Sequence, residues 1–435
     1  MKKDTVIIGF MLFALFFGAG NLIYPPTLGI ESGTSYWAAI AGFVITGVGL
    51  PILAVTAISS VKNDARELAD RVHPLFGAVF TSVVYLAIGP FFGIPRAATV
   101  AFEMSLEPFT SASPFILFLF TTIFFLFVYI VSINPSKMVD RIGQFLTPLL
   151  LLAIVILCIG GFFLLDSSVQ QPGEKYAQSP LFTGFVEGYL TMDAIAALAF
   201  GIIVVQAFKD RGISSRKHLV QSTLKAGLIA GVGLISVYAS MGWIGTKMAS
   251  AGSFANGGDI LSGAADVMFG SFGAMLLGII VGLACFTTST GLVVASGQFF
   301  HKLTGYPYKR IAAMVTIASY LIANQGLNTI ISVSVPVLTF IYPIAIVLIL
   351  MTFLERLFGG SANVYRGAIL MTGFVSLYDG LIEFGVSMPA VTAMMEHLPF
   401  FSFGLGWIVP ALIGGLVGYL IKSTRHHPIP DKELL

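Results

Sequence analysis

The sequence has 435 residues, of which 56% are hydrophobic and 10% are charged, and its formal net charge is +2. Soluble domains carry about 25% charged residues, so this composition excludes a soluble globular protein and indicates a helical protein of the lipid bilayer. Both cysteines, Cys158 and Cys285, lie in apolar runs and provide no disulfide framework.

Apolar runs predict about twelve membrane-spanning helices, because a helix needs about 20 apolar residues to cross the hydrocarbon core. The runs are 5–28, 36–60, 75–106, 114–133, 142–165, 182–208, 219–245, 269–300, 309–325, 329–354, 364–385 and 402–422. We therefore expect an all-α integral membrane protein with one transmembrane domain over 1–435. The third and eighth runs are long and are expected to tilt or to extend beyond the bilayer.

The distribution of Lys and Arg tests this count. If both termini lie in the cytoplasm, 20 of the 23 basic residues fall on the cytoplasmic side, and the exceptions are Lys175, Lys247 and Arg96. Cytoplasmic loops of membrane proteins carry such an excess of positive charge. The pattern predicts an even number of spans with both termini inside.

The first run is interrupted by Gly18-Ala19-Gly20-Asn21 and then by Pro25-Pro26. Glycine lets the backbone leave helical dihedrals, and proline removes a hydrogen-bond donor. Backbone groups freed at membrane depth are tolerated where they are buried in protein or line a cavity. The interruption predicts a broken helix in a binding site for a small solute or an ion. The alternative is a proline kink without a ligand.

Asp193 lies inside the sixth run, after Gly188-Tyr189-Leu190-Thr191-Met192. A carboxylate at the bilayer centre costs at least ~2.5–3.5 kcal/mol on insertion scales. Asp193 must therefore meet a cation, a hydrogen-bond donor or water, and we expect a second broken helix here. The alternative is a structural carboxylate that accepts hydrogen bonds from backbone N–H groups.

The two interruptions are five helices apart, so the helices that carry them cross the membrane in opposite directions. This arrangement is typical of inverted-topology repeats, in which the site lies between the two halves. It predicts a first repeat over 5–165, a second, inverted repeat over 182–354 and two extra helices over 364–422.

Two further polar features lie inside predicted spans. The eighth run places Thr287, Thr288, Ser289 and Thr290 in succession. Hydroxyl and carbonyl oxygens suit a hard cation, whereas Ser and Thr also bond to their own helix or tie helices together. Arg96 lies in the third run, where an arginine is nearly always paired or faces water; it would close a gate, neutralise a carboxylate or form a structural ion pair.

Motifs of catalysis are absent from the sequence. It contains no G-x-x-x-x-G-K-[ST] nucleotide-binding motif, no H-E-x-x-H metal motif and no Ser/His/Asp grouping. None of the six histidines lies in the middle of a predicted span. We therefore expect neither an enzyme, nor ATP-driven transport by this chain alone, nor a histidine proton relay.

These residues resemble the bacterial branched-chain amino acid:cation symporter family, the carriers for leucine, isoleucine and valine. The resemblance covers essentially the whole chain and is carried by Phe17–Pro26, Gly89–Arg96 and Gly188–Asp193. More distantly, the pattern is similar to sodium-coupled amino acid transporters of the five-plus-five inverted-repeat fold. The resemblance implies a multi-pass protein of the bacterial cytoplasmic membrane.

The distant resemblance also implies a substrate site and an ion site. Backbone N–H groups of a Gly-x-Gly-Asn break hold the substrate carboxylate in that fold, and the matching residues are Gly18, Ala19, Gly20 and Asn21. The second break meets the amine and the side chain, here at Thr191, Met192 and Asp193. A sodium ion lies between helix one and a hydroxyl pair of helix eight, here the carbonyls of Ala14 and Phe17 with the hydroxyls of Thr287 and Thr288. Asp193 stands where those transporters usually have a neutral residue, so it would meet the ammonium group, a cation or a proton.

We expect a secondary symporter that imports leucine, isoleucine and valine by alternating access, coupled to Na⁺ or, as the other possibility, to H⁺. An aliphatic substrate side chain needs an apolar pocket, for which Phe16, Met192, Ile195 and Phe286 are candidates. The alternatives are a non-transporting amino-acid sensor and a proton-coupled carrier for another neutral amino acid. The expected partners are the substrate and the lipid bilayer, with no nucleic acid and no obligate protein partner.

Overall fold

The computed structural model describes residues 2–61, 65–110, 113–134, 147–254 and 256–421. Over these ranges the regular elements are helices, and no β-strand is present. The predicted all-α class is confirmed.

The described part of the first half consists of helices α1 to α9. Their bounds are α1 (Lys2–Phe16), α2 (Ala19–Ser32), α3 (Tyr36–Val44), α4 (Leu50–Ser59), α5 (Ala65–Ala69), α6 (Pro74–Leu86), α7 (Gly93–Ser105), α8 (Pro114–Ser132) and α9 (Thr147–Leu164). Two π-helical turns, Ile45–Gly49 and Ala87–Phe91, continue α3 into α4 and α6 towards α7. Such turns inside long helices are frequent at functional sites.

The second half contains helices α10 to α20. Their bounds are α10 (Glu174–Ala177), α11 (Pro180–Glu187), α12 (Asp193–Lys209), α13 (Arg216–Met248), α14 (Gly257–Phe269), α15 (Ser271–Thr304), α16 (Tyr308–Ala323), α17 (Leu327–Leu354), α18 (Ala362–Glu383), α19 (Pro389–Met395) and α20 (Ile408–Leu420).

The first predicted break is present but is shorter than expected. Helix α1 ends at Phe16, and α2 begins at Ala19 after Gly18, whose backbone is extended at φ −127° and ψ −161°. Pro25 and Pro26 lie inside α2, so the expectation that they continue the interruption is wrong. Prolines are tolerated inside membrane helices where neighbouring groups satisfy the freed backbone.

The second break joins α11 to α12. A 3₁₀ turn spans Gly188–Thr191, and Met192 then adopts the left-handed conformation with φ 69°. The two helices meet at an angle of 45°. A left-handed residue other than glycine costs of order 1–3 kcal/mol and persists where its surroundings hold it. Helix α12 begins at Asp193, so the break ends one residue before the carboxylate that predicted it.

The two broken helices pack in an exchanged pattern. Helices α1 and α2 pack on α13, whereas α11 and α12 pack on α3 and α4. In an inverted repeat, α1–α2 would correspond to α11–α12, and α3–α4 would correspond to α13. The contact of α1–α2 with α13 is then equivalent to the contact of α11–α12 with α3–α4. An inverted repeat requires such an exchange. The boundaries 5–165 and 182–354 remain a prediction.

Apolar side chains cover the outer surface of the bundle. On α8, for example, the exposed side chains include Phe115, Phe118, Leu119, Ile123, Leu126 and Phe127. In the described ranges, seven helices are long and apolar enough to cross a membrane, or eight if the bent pair around Met192 counts as one span. This surface indicates a multi-pass membrane protein. The count of twelve spans remains a prediction, since α1, α16 and α20 have only 15, 16 and 13 residues.

A buried ion pair links Arg71, which follows α5, to Glu355, which follows α17. An Arg71 nitrogen lies 3.0 Å from the Glu355 carboxylate and also donates to the Tyr365 hydroxyl at 3.0 Å. Arg71 is 7% exposed and Glu355 is 1% exposed. Nearby, Arg366 donates to the carbonyl of Val72 at 2.9 Å. Glu355 depends on this pair, because an uncompensated buried carboxylate is costly.

We expect Arg71→Ala to lower the free energy of unfolding by about 3–5 kcal/mol, because it leaves the Glu355 carboxylate buried without its cation. The measurement is thermal unfolding in detergent. The double variant Arg71→Ala/Glu355→Gln should recover most of the loss, because it removes the stranded charge as well. A double variant as unstable as the sum of the two single variants would contradict the coupling of the two residues.

Candidate functional site

A narrow cavity lies between the two breaks. Its walls come from the end of α1, the start of α2, α7, the second break and α15. The residues predicted to bind substrate all line it: Gly18, Ala19, Gly20, Asn21, Thr191, Met192 and Asp193. Arg96 lines it as well. The fold thus brings together residues that lie more than 170 positions apart in the sequence.

The Asp193 carboxylate is held by neutral hydrogen-bond donors. Its Oδ2 accepts from Asn21 Nδ2 at 2.5 Å and from the Tyr238 hydroxyl at 3.1 Å. Asp193 is 3% exposed. In the described part of the chain, no Lys or Arg nitrogen lies within 4.0 Å of this carboxylate. Its negative charge therefore has no cationic partner among the described residues, and the carboxylate is suited to a cationic group of a ligand.

Sequence analysis did not identify Tyr238 of α13 or Tyr342 of α17 as site residues. Tyr238 also contacts the Asn21 amide, and the Tyr342 hydroxyl accepts from the Ala194 N–H at 3.3 Å. A buried tyrosine usually finds a hydrogen-bond partner, so a tyrosine within an apolar run indicates a polar contact. With 14 tyrosines in the chain, that signal does not identify these two.

The Asn21 side chain forms hydrogen bonds to both breaks. Its side-chain Oδ1 accepts a hydrogen bond from the Gly18 N–H at 3.1 Å, while its Nδ2 reaches Asp193 across the cavity. The Gly18 N–H is therefore occupied and is not free to bind a carboxylate. The N–H groups of Ala19 and Gly20, in the first turn of α2, have no carbonyl one turn earlier in the same helix. They are the backbone donors that remain for an anion.

Arg96 reaches the second break rather than a carboxylate. Its guanidinium donates to the carbonyls of Leu190 at 3.3 Å and Thr191 at 3.5 Å. No Asp or Glu oxygen among the described residues lies within 4.0 Å of it. Among the described residues Arg96 forms no ion pair with Asp or Glu, and its expected roles remain predictions. The sequence could not show this, because it does not reveal which helix α7 faces.

Three of the four successive hydroxyls of α15 fall into two sets. Thr287 Oγ1 donates to the Ala14 carbonyl at 2.9 Å, and Thr288 Oγ1 lies 3.4, 2.9 and 3.3 Å from the carbonyls of Ala14, Leu15 and Phe17. Thr290 bonds back to Phe286 of its own helix. The predicted cluster of Ala14, Phe17, Thr287 and Thr288 is therefore brought together, with Leu15 as an additional oxygen. The last carbonyls of a helix carry its negative dipole end, so this cluster suits a cation.

Two of the four candidate pocket side chains line the cavity. These are Phe16 and Met192. Ile195 is fully buried in the core but is not part of the cavity wall. Phe286 packs edge-on against Phe124, with ring centroids 6.2 Å apart, in a separate cleft between α8 and α15. The helical register turns both side chains away from the break.

The arrangement offers separate places for opposite charges. The carboxylate of Asp193 suits a cationic group, and the first turn of α2 suits an anionic one. The described residues contain no group of three or more His, Cys, Asp or Glu side chains that could hold a metal ion. The oxygens between α1 and α15 are the candidate site for a hard cation.

Gly20 is required for the shape of this cavity. A Cβ atom at this position would lie 2.8 Å from Arg96 Nη2 and 3.0 Å from the Thr191 backbone. We expect Gly20→Ala to weaken ligand binding by roughly tenfold to a hundredfold, since overpacking costs typically about 1–3 kcal/mol. Ligand binding to the purified protein is the measurement. Gly282→Ala is the matched control, because a Cβ there meets no atom within 4 Å. Equal binding by the two variants would contradict a ligand site at this break.

Comparison with known proteins places the sequence in a defined group. The sequence model of one family, described as "Branched-chain amino acid transport protein", matches residues 1–425. The chain is 46% identical over 426 residues to "Branched-chain amino acid permease BrnQ" of Bacillus subtilis (strain 168), with 97% of each chain covered. It is 45% identical over 424 residues to "Branched-chain amino acid permease BraB" of the same strain, covering 96% of this chain and 95% of that one. These relatives are permeases, so the prediction that the chain is not an enzyme is confirmed.

Solved transporter structures share the fold at low sequence identity. Mhp1, a nucleobase-cation-symport-1 family transporter in a closed conformation, superposes with a TM-score of 0.60 at 16% identity, covering 96% of this chain and 91% of that one. A Na⁺-coupled sialic acid symporter in an outward-open state gives 0.62 at 15% identity, covering 97% and 91%. The predicted membrane-transporter fold with broken helices one and six is confirmed.

Proposed function

Because this chain belongs to the branched-chain amino acid transport protein family, we propose that it imports leucine, isoleucine and valine together with Na⁺ by alternating access. One observation carries the proposal. Thr288 both lines the cavity between the breaks and lies against three carbonyls at the end of α1. The candidate substrate site and the candidate ion site therefore share a wall, as coupled binding requires.

The cavity residues divide the recognition of an aliphatic amino acid among them. The ammonium group binds to Asp193, whose carboxylate is oriented by Asn21 and Tyr238. The carboxylate binds at the first turn of α2, where free N–H groups and the positive dipole end favour an anion. The aliphatic side chain lies against Phe16 and Met192. A pocket with few polar partners accepts leucine, isoleucine and valine, although one methylene alters binding by about 1–3 kcal/mol.

Sodium binds between α1 and α15 in this proposal. The ligands are the carbonyls of Ala14 and Phe17 and the hydroxyls of Thr287 and Thr288, with the Leu15 carbonyl within reach of Thr288. Binding there fixes the end of α1 against α15 and so positions the break that forms the substrate site. By linkage, sodium then raises the affinity for the amino acid, and the amino acid raises the affinity for sodium by the same factor.

Transport follows when the occupied site opens to the other side. The two repeats, 5–165 and 182–354, rock against each other around the site, and the helices over 364–422 lie outside them. The protein lies in the bacterial cytoplasmic membrane with both termini in the cytoplasm, an orientation supported by the distribution of Lys and Arg.

Two other functions are consistent with particular features. A proton-coupled carrier is favoured by Asp193, a buried carboxylate without a cationic partner among the described residues. A non-transporting sensor would use the same cavity for binding alone.

Counterflow separates a carrier from a sensor. Proteoliposomes that contain the full-length protein are loaded with unlabelled leucine in sodium buffer and diluted into labelled leucine. We expect transient accumulation of label, inhibited by external isoleucine and valine but not by lysine or glutamate. Binding of leucine without counterflow would overturn transport in favour of the sensor.

A further inference from the structure

We propose that the Arg96 guanidinium, together with the first-turn N–H groups of α2, binds the carboxylate of the substrate. This inference rests on the proposed function, because it takes the cavity to hold an amino acid. It assigns Arg96 a direct part in recognition and limits the substrates to compounds with a free carboxylate.

Arg96 is buried and has more N–H donors than hydrogen bonds to the described residues. It is 4% exposed, and a guanidinium carries five N–H donors. Two of its nitrogens donate to backbone carbonyls at 3.3 and 3.5 Å, which is long compared with the 2.7–2.9 Å typical of charge-assisted bonds. Its Nε has no hydrogen-bond partner among the residues that the structure describes. A buried charge with unsatisfied donors is costly, and an anion in the cavity would satisfy them.

The described residues supply no carboxylate partner for the Arg96 charge. In the described ranges, no Asp or Glu oxygen lies within 4.0 Å of Arg96. Asp193 lines the same cavity, but its carboxylate is engaged by Asn21 and Tyr238. The cavity therefore presents a positive group and a negative group that are not paired with each other. A zwitterion complements both, with its ammonium at Asp193 and its carboxylate at Arg96.

The guanidinium lies beside the N-terminus of α2. An ideal Cβ on Gly20 would come within 2.8 Å of Arg96 Nη2, so the guanidinium packs against the first turn of this helix. The N–H groups of that turn and the helix dipole attract the same anion. Glycine at position 20 permits this approach, because any larger side chain would occupy the space between the guanidinium and the helix.

Surrounding groups fix the orientation of Arg96. It lies in the first turn of α7, where its N–H donates to the Phe92 carbonyl at 2.9 Å. The Tyr24 ring lies 5.9 Å from the guanidinium carbon, within the range of a cation–π contact. The carbonyls of Leu190 and Thr191 accept hydrogen bonds from the guanidinium. A preorganised guanidinium loses less side-chain freedom when a carboxylate binds.

The competing explanation is that Arg96 only supports the turn before Met192 through those two carbonyls. Loss of Arg96 would then distort the cavity and weaken every ligand alike. A substrate analogue without the negative charge separates the two roles. Leucinamide keeps the ammonium group and the side chain of leucine but replaces the carboxylate with a neutral amide.

The experiment measures the affinities of leucine and leucinamide for the purified full-length protein in sodium buffer by calorimetry. We expect wild-type protein to bind leucine at least ~30-fold more tightly than leucinamide, as for a buried charge pair. Arg96→Gln should reduce this ratio to below about threefold, chiefly through a loss of leucine affinity. Arg96→Lys should keep an intermediate preference, since it retains the charge but not the two-pronged geometry. Arg366→Gln, which alters an arginine outside the cavity, should leave the ratio unchanged.

Equal loss of leucine and leucinamide affinity in Arg96→Gln would overturn this inference and leave the proposed function intact. If Arg96→Gln does not fold, the preference of Arg96→Lys decides, and a ratio equal to that of wild-type protein would overturn the inference. Failure of wild-type protein to bind leucine would instead overturn the proposed function, and this inference with it.

Discussion

Asp193→Asn is expected to lower leucine uptake at least ~30-fold while the protein remains folded and inserted in the membrane. The carboxylate is buried, and Asn21 and Tyr238 already direct it into the cavity. An amide keeps the size of the side chain but leaves a bound ammonium group without its counter-charge, which costs about 2 kcal/mol or more. Initial rates of uptake into proteoliposomes give the measurement.

Asp379→Asn is the matched control for this prediction. Asp379 is a partly buried carboxylate on α18, outside the cavity, so uptake by this variant should stay within about twofold of wild type. Leucine exchange then separates two roles of Asp193, proton coupling and binding of the substrate ammonium group. If Asp193 only couples protons, Asp193→Asn leaves leucine exchange intact. If Asp193 binds the ammonium group, Asp193→Asn abolishes exchange as well. Normal uptake by Asp193→Asn would exclude both roles.

Thr288→Val is expected to raise the sodium concentration for half-maximal uptake by about tenfold or more, a change of ~1.4 kcal/mol. Valine has nearly the shape of threonine but removes the hydroxyl that lies against the carbonyls of Ala14, Leu15 and Phe17. Because hard cations depend on the number of oxygen ligands, the ion loses affinity. Maximal uptake at saturating sodium should change much less.

Thr290→Val provides the control on the same helix. Its hydroxyl bonds to the Phe286 carbonyl of its own helix, outside the cluster with α1. The sodium dependence of this variant should match that of wild type. If Thr288→Val and Thr290→Val behave alike, the Thr288 hydroxyl ties two helices together and does not bind the ion.

The sequence allowed both breaks to be located because each carries a residue that is costly in a membrane helix. Gly18 and Asn21 marked the first, and Asp193 marked the second. The parity of the spans then predicted that the two breaks face each other, and the cavity contains all three residues. Local chemistry and topology were sufficient for this part of the site.

The partners of these residues could not be predicted, since they come from other helices at a depth and register that the sequence does not state. Tyr238 and Tyr342 contact the second break from α13 and α17. Arg96 was recognised as unusual, but its position beside Gly20 depends on the packing of α7 against the break. Met192 has a left-handed backbone, which its residue type does not suggest, because glycine is the usual residue there.

Labelled leucine uptake into proteoliposomes, with an inward sodium gradient or an inward proton gradient at matched membrane potential, tests the coupling between these sites most directly. We expect accumulation above equilibrium with the sodium gradient and none with the proton gradient alone. Accumulation driven by protons alone would contradict sodium coupling at Thr287 and Thr288 and would assign the coupling to Asp193.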